Sequence, residues 1–498
     1  MIRNSKDAVN SLSKSYLDKA SKFVSEHTEQ MSTTLQRLND RRICLGITGL
    51  SQSGKSTFVT SLIDQLINYK TSALSGFSPV LEKRLMGVKL LPLSNKKIAN
   101  FPYQVSIAGL KQPQPNWPSS TTDISGCVLE LKLQKAATPL NPFSKENFSL
   151  FIELRDYPGE WLLDLPLRNM DYARWCGQCS AQFNREPRKQ ILGDLLLDLQ
   201  NIDPMDPVDF KVLAQLKKRF VGFLEQCKAG EHPLSLIQPG RFLMPGEIED
   251  ETLLGFVPLL KAGSFTDGQL EAAPENSYFK VCEQRYKAYI KQLVEPFYKD
   301  FFSGIDRQVV LVDVVTALNS GPLYLDDMRQ ALSNISDSFS YGPQNRIMQL
   351  FTPKIDKVVF AATKADQVVS SDHASLVKLL ESLVDHAYKT AQYEGVPPTT
   401  EAVAGVRSSI EVEHEGDAAL SGFDTTGAAI GYVHPPIPAF IAKNTADQGF
   451  KDWNIPKFNP PILPDDTQAV PHIRIDSVLN SLVGDKCSWK KATMKLKQ

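Results

Sequence analysis

One eight-residue stretch constrains this chain more than any other. Gly49-Leu50-Ser51-Gln52-Ser53-Gly54-Lys55-Ser56 matches G-x-x-x-x-G-K-[ST] at every fixed position. It follows an apolar run at 43–48 that reads as a short buried strand. It leads into a helix expected over 57–69, with Phe58, Val59, Leu62, Ile63, Leu66 and Ile67 on one face. Strand, glycine-bearing loop and helix form the first unit of an α/β sheet. That context turns a short match into a phosphate cradle. The backbone N–H groups over Ser51, Gln52, Ser53, Gly54, Lys55, Ser56 and Thr57 can point at a phosphate chain, and the helix start adds the positive end of its dipole. The Lys55 ammonium is expected at the β- and γ-phosphates, and the Ser56 hydroxyl on Mg²⁺, a hard cation that prefers oxygen.

The rest of the chain alternates in a way that extends the sheet. Residues 127–133 and 148–154 alternate apolar and polar and read as a hairpin across 138–147. From 307 onward come a strand (307–315), a helix (325–349), a strand (357–362), a helix (374–392) and a strand (402–407), an order that demands a parallel sheet with right-handed crossovers. Between these halves, 177–306 reads as mainly helical, with helices near 181–200, 207–229 and 276–302 and Pro/Gly-rich loops over 231–275. Residues 71–120 read as irregular. The Pro-rich part from 435 ends in a strand (470–475) and a helix (476–483). Residues 1–40 read as one helix, which either packs on the chain or meets a membrane surface or a partner.

Composition removes several classes. With 498 residues, about three domains are expected from length alone. Fifty-five basic and 56 acidic side chains give a net charge of −1, which argues against a chain-wide nucleic-acid surface. Seven cysteines do not suggest a disulfide framework and point to a reducing compartment. The longest apolar run, 309–318, contains Asp313 and is too short for a membrane span, and the N-terminus lacks the apolar core of a signal peptide.

Two further motifs lie at expected strand ends. Asp156-Tyr157-Pro158-Gly159 matches D-x-x-G: Asp156 would hold Mg²⁺ through water and the Gly159 N–H would meet the γ-phosphate. Thr363-Lys364-Ala365-Asp366 matches [NT]-K-x-D: the Asp366 carboxylate would accept guanine N1–H and the exocyclic amine, a donor pair adenine lacks, and the Lys364 stem would cover the base plane. Ligands of open α/β sheets bind at this edge.

With these motifs in place, the chain resembles the Ras-like GTPase class of P-loop proteins and, more narrowly, the YcjX family of bacterial stress-associated P-loop proteins. The narrower resemblance is carried by residues 46–57, Trp117-Pro118-Ser119-Ser120-Thr121, residues 155–161, Gln238-Pro239-Gly240-Arg241, Leu311-Val312-Asp313-Val314 with Ala317-Leu318-Asn319, and Pro471-His472-Ile473-Arg474. It implies a Ras-like P-loop sheet flanked by helices with a mainly helical inserted subdomain. The expected division is an N-terminal helix (1–40), a first part of the G domain (41–176), the insertion (177–306), a second part of the G domain (307–410) and a C-terminal extension packing on it (411–498). It also implies a GTP- and GDP-binding, Mg²⁺-dependent GTPase acting as a stress-response switch. Such a protein would be cytoplasmic, peripheral at the inner membrane, and partnered by an inner-membrane protein. An ATPase, or a scaffold that holds nucleotide without turnover, are the alternatives.

Carried over by position, the switch threonine is Thr121, with Ser120 and Thr122 as competitors, and the last base loop is Ala404-Gly405-Val406, where Gly405 and Val406 would present backbone to the guanine carbonyl. Glu160 stands where many Ras-like proteins place the glutamine that orients water. A carboxylate there could take a proton from water but would repel the γ-phosphate, so slow hydrolysis is expected, unless Glu160 is solvated and points away. Arg155, Arg168, Arg174 and Arg241 are candidates for a stabilising arginine within the chain. Cys176-Gly177-Gln178-Cys179 lacks the further ligands a zinc site needs, and the four lysines in 489–497 read as a solvated tail or an anionic-membrane contact.

Overall fold

The computed structural model describes residues 41–487 apart from 51, 96–97, 136–145, 231, 247, 249, 340–353, 441–452 and 464–468. The expected N-terminal helix, the lysine-rich tail, Ser51 and residues 340–349 of the expected 325–349 helix lie outside the described residues; that helix runs from Pro322 and ends at Ser336.

Among the described residues, eight strands make one sheet: β1 (Arg42–Gly49), β2 (Leu85–Leu91), β3 (Ala99–Asn100), β4 (Ser125–Gln134), β5 (Asn147–Asp156), β6 (Arg307–Val312), β7 (Lys357–Ala362) and β8 (Thr399–Ala402). Their order is β2-β4-β5-β1-β6-β7-β8, with β3 paired on β4. β5, β1, β6, β7 and β8 run parallel, and β4 is antiparallel to β5, as the hairpin reading requires. The inner strands alternate between two cores. Leu45, Ile47, Val309 and Leu311 face one cluster, while Cys44, Val310 and Val312 face the other. A strand buried on both faces has no polar side to show, which is why β6 reads as a continuous apolar run.

One core is covered by α1 (Lys55–Ile67), α2 (Tyr103–Lys111) and the C-terminal α10 (Ile475–Val483). The other is covered by α6 (Val314–Ser320), α7 (Pro322–Ser336), α8 (His373–Leu383) and α9 (Asp385–Tyr393), and by the helical segment between β5 and β6. That segment includes α3 (Tyr172–Phe183), α4 (Phe210–Ala229) and α5 (Tyr278–Tyr289). An aromatic cluster holds it together, with Trp175 stacked on Tyr286 at 5.6 Å and Phe242 edge-on to Phe256 at 5.0 Å.

Several expectations are corrected. Residues 71–120 are not irregular, since they hold β2, β3 and α2. The 307–315 strand stops at Val312 because the Asp313 carboxylate accepts the Thr316 N–H at 3.0 Å and caps α6. The 374–392 helix breaks at Val384 into α8 and α9. The 402–407 strand is β8, which ends at Ala402. The helical segment starts at Tyr172, before 177, and its 181–200 helix is divided between α3 and two shorter helices, Arg188–Leu192 and Asp194–Asn201. Residues 470–475 form only an isolated bridge, Ala404 with Ile473. A second antiparallel sheet of β9 (Ser409–His414), β10 (Asp417–Phe423) and β11 (Ala429–Tyr432) was not expected.

The C-terminal segment is bound into the sheet by buried charge. Arg307, which opens β6, is 1% exposed. Its guanidinium pairs with Asp485 at 2.5 and 2.8 Å and Asp356 at 3.0 Å, and donates to the Leu482 carbonyl. On α1, the buried Asp64 carboxylate accepts the Val470 N–H at 2.8 Å and the Tyr103 hydroxyl at 3.1 Å. The seven cysteines are free and buried, and burial pushes the Cys176 thiol up to about 12. Among the described residues no helix is long and apolar enough to cross a membrane, and no three His, Cys, Asp or Glu cluster as metal ligands.

Candidate functional site

The site is assembled where the parallel strands end. β1 delivers the loop at 49–56. Gln52 and Gly54 both take left-handed backbone (φ 62° and 76°), a shape that turns the chain sharply into α1. The turn is closed by Ser53 N–H on the Leu50 carbonyl at 3.2 Å, and α1 begins with Phe58 N–H on the Gly54 carbonyl at 2.9 Å.

The β4–β5 hairpin brings the next group. Its register sets Ser125 opposite Asp156, so Thr121, four residues before Ser125, reaches the end of β5. There the Thr121 hydroxyl donates to Asp156 Oδ2 at 2.6 Å, and Ser56 Oγ lies 3.2 Å from Thr121 Oγ1. The Lys55 ammonium sits 3.3 Å from Asp156 Oδ1 and donates to the Tyr157 carbonyl. Asp156 is 2% exposed, and its Oδ1 has no hydrogen-bond partner besides this ion pair. The neighbours Ser120 and Thr122 share the adjoining cavity of about 550 Å³ with Thr121.

Gly159 lies against the first loop. A Cβ there would stand 2.2 Å from the Gly49 carbonyl oxygen, so only glycine lets D-x-x-G approach this closely. Glu160, next in the chain, is buried. Its carboxylate is paired with the Lys228 ammonium of α4 at 2.6 Å, so the solvated alternative does not hold.

β6, β7 and β8 place the remaining motif. Val312 pairs with Ala362 and Ala362 with Ala402, which aligns Asp313, Lys364 and the 404–406 loop side by side. Lys364, itself left-handed (φ 59°), has its ammonium 2.6 Å from Asp313 Oδ2 and donates to Thr316 Oγ1 at 2.8 Å. The Thr363 N–H donates to the Val312 carbonyl at 2.9 Å. Asp366 is buried, which pushes its carboxyl above the usual range, while the Ser408 hydroxyl and the Ser408 N–H (2.8 Å) donate to it and oppose that shift. Gly405 packs on the start of α1: a Cβ would stand 3.1 Å from the Phe58 backbone.

A cavity of about 470 Å³ joins these loops, a size suited to a small-molecule ligand. Gln52, Gly54, Thr57, Thr363, Lys364, Asp366, Gly405 and Val406 line it, so both ends of the expected site open into one space. Sequence reasoning missed three contributors. Ser408 supplies the donors to Asp366 and lines the cavity. Trp117 and Phe458 line it from opposite parts of the chain, joined by the Trp117 indole N–H on the Phe458 carbonyl at 3.1 Å. Ala229 and Gly230, at the end of α4, bring the helical segment to the same wall. Trp117 has no signal beyond the family resemblance; Phe458 and α4 carry no local motif.

The candidate arginines are occupied elsewhere or exposed. Arg155 pairs with Glu153 at 2.9 Å, Arg168 stacks on Tyr298 at 3.5 Å, and Arg241 stacks on Trp161 at 3.2 Å. Arg174 is exposed on α3.

Comparison with known proteins places the chain in a family. Residues 43–487 match the family model described as "YcjX-like family, DUF463". A protein of Escherichia coli (strain K12) named "Ras-like GTPase YcjX" is 36% identical over 465 residues, covering 92% of this chain and 98% of that protein. One of the same name from Shewanella oneidensis (strain MR-1) is 33% identical over 480 residues, covering 92% and 97%. A match of this extent, on a Ras-like α/β sheet, shows that the chain belongs to the YcjX-like family.

Proposed function

We propose that this chain binds GTP and GDP and hydrolyses GTP slowly, as a nucleotide-dependent switch. One observation carries the reading: three loops far apart in sequence, at 49–56, 156–160 and 363–366, converge at one edge of the sheet, two of them on a shared cavity. Ser56, Thr121 and Asp156 fit Mg²⁺, because their oxygens gather within 2.6 and 3.2 Å as an all-oxygen donor set and the buried Asp156 Oδ1 has no hydrogen bond. Bound there, the ion would neutralise charge on the β- and γ-phosphates.

The residues of the chain supply the rest. Lys55 would exchange the Tyr157 carbonyl for phosphate oxygens, and the Gly159 N–H would meet the γ-phosphate. Asp366 would read guanine, which favours GTP over ATP. Gly405 and Val406 would present backbone to the base. In the reaction a water oxygen bonds to the γ-phosphorus, and the bond to the β,γ-bridging oxygen breaks with its electron pair left on GDP. Both water protons stay on the released phosphate, so GTP⁴⁻ and H₂O give GDP³⁻ and H₂PO₄⁻. Hydrolysis is slow in this reading because Glu160 replaces a neutral water-orienting side chain.

The division into a two-part G domain (expected over 41–176 and 307–410, its first part ending before α3), helical insertion and C-terminal extension belongs to the same proposal. The stress-response role, the cytoplasmic and peripheral inner-membrane location and an inner-membrane effector rest on the family resemblance alone. The pairing of Glu160 with Lys228 favours a second reading, a scaffold that holds nucleotide without turnover. Calorimetry with GDP, a non-hydrolysable GTP analogue and ATP, with and without Mg²⁺, and phosphate release from GTP separate them. Lys55→Ala is expected to bind GTP about a hundredfold more weakly, roughly 2.7 kcal/mol, and to release no phosphate. Phosphate release equal to that of the parent would end the catalytic reading.

A further inference from the structure

One residue of the helical segment touches both phosphate-side loops. Lys228 stands in the last turn of α4, and its carbonyl accepts the Gln52 side-chain N–H at 3.2 Å. Its ammonium is 2.6 Å from Glu160 Oε1. Gln52 belongs to the loop of Lys55, and Glu160 follows the glycine that lies against Gly49. One lysine therefore bridges the loop before α1 and the loop after β5, while Ala229 and Gly230 behind it line the cavity.

This arrangement holds its neighbours closely. A Cβ on Gly240 would stand 1.8 Å from the Glu160 carbonyl oxygen, so the 238–241 loop packs directly on the backbone beneath Glu160. Asp164, one turn on, accepts the Gly240 N–H at 2.8 Å, the Arg241 N–H at 3.1 Å and the Tyr289 hydroxyl at 2.6 Å. Arg241 is stacked on Trp161, so the cation delivered to Glu160 is Lys228.

We propose that Lys228 is a catalytic cation supplied within the chain: with triphosphate bound, its ammonium moves from the Glu160 carboxylate to the γ-phosphate, leaving Glu160 to hold the attacking water. The inference rests on the GTPase reading above. A lysine on a flexible four-carbon stem can change partners without moving its helix. Charge gathering on the γ-phosphate oxygens outcompetes one carboxylate for it. A triphosphate thus breaks the Lys228–Glu160 pair, whereas GDP leaves it intact. The bonds formed and broken in hydrolysis are those already given, and Lys228 gives up no proton.

The test measures phosphate release and the affinities for GDP and a non-hydrolysable GTP analogue in the full chain with Mg²⁺. Lys228→Met is expected to lower kcat about 100-fold. It should also weaken the analogue about tenfold while GDP affinity stays within about twofold, which also reports that the variant is folded. Lys228→Arg should keep the analogue-to-GDP affinity ratio of the parent. Glu160→Gln added to Lys228→Met should not restore the rate. Restoration would mean that the lysine only neutralises Glu160 and would overturn the proposal, as would an unchanged rate and affinity ratio in Lys228→Met. If the parent released no phosphate, the GTPase reading would fall, and the affinity ratio would still decide the phosphate contact.

Discussion

At one end of the site, on the adjoining cavity, Ser56, Thr121 and Asp156 are gathered by one hairpin and the loop beside it. At the other, Lys364, Asp366, Gly405 and Ser408 are brought together by three strands, and Trp117 meets Phe458 across 341 positions. The phosphate end is thus positioned by strand register, and its donors bond to one another directly. The base end is positioned by the register of three parallel strands and closed by packing between separate parts of the chain, and its key carboxylate is held by backbone and hydroxyl donors. A perturbation of the first should act on charge and phosphate count. One of the second should act on the identity of the base.

Asp366→Asn is the sharpest way to break this distinction, with an effect on binding as large as that of Lys55→Ala. An amide can still accept from Ser408, so the loop keeps its shape. Guanine affinity should fall about 100-fold and preference should move to xanthine nucleotide, with no change in Mg²⁺ dependence. Unchanged guanine selectivity in a binding assay would remove Asp366 from base reading. A smaller effect is expected from Thr121→Ala: about tenfold weaker binding of a GTP analogue in Mg²⁺, with GDP unaffected. Equal loss for both nucleotides, measured by calorimetry, would show that the two ends are not independent.

Glu153→Gln should move neither end. Burial by itself would raise the Glu153 carboxyl, but the Arg155 and Arg42 guanidiniums overcome it and hold it down at about 2, against an ordinary 4.5. The stability this supplies is fully present above pH 4.5 and is lost as pH falls towards 2, at most about 3 kcal/mol. Denaturant titrations between pH 5 and 2 should show that slope in the parent and a flatter one in the variant. Nucleotide affinity at pH 7 should be the same in both.

The sequence announced what local pattern controls. The loop at 49–56 is contiguous, β4 and β5 alternate, β6 and β7 are apolar throughout, and each motif sits at a strand end. It hid what depends on distant partners. β2 is a half-exposed edge strand with no clean alternation, and α2 is nine residues long and carries Gly109. Two missed features did have local signals. Asp313 three residues before Thr316 is a helix cap, and Glu415-Gly416, both left-handed, is the two-residue turn of a hairpin between β9 and β10. Ser408, Phe458 and Lys228 had none, because only the fold brings the first two to the cavity and the third to Gln52 and Glu160.

The buried guanidinium of Arg307 has a consequence for how the chain is made. Arg307 opens a central strand, yet its main counter-charge, Asp485, is 178 positions later. A buried charge without its partner costs several kcal/mol. During synthesis from the N-terminus, Asp356 is the carboxylate partner made early, so the start of β6 is expected to stay wet until the segment carrying Asp485 is made. The strand that leads to Asp313, beside the base loops, is expected to reach its final packing only when that late segment has docked.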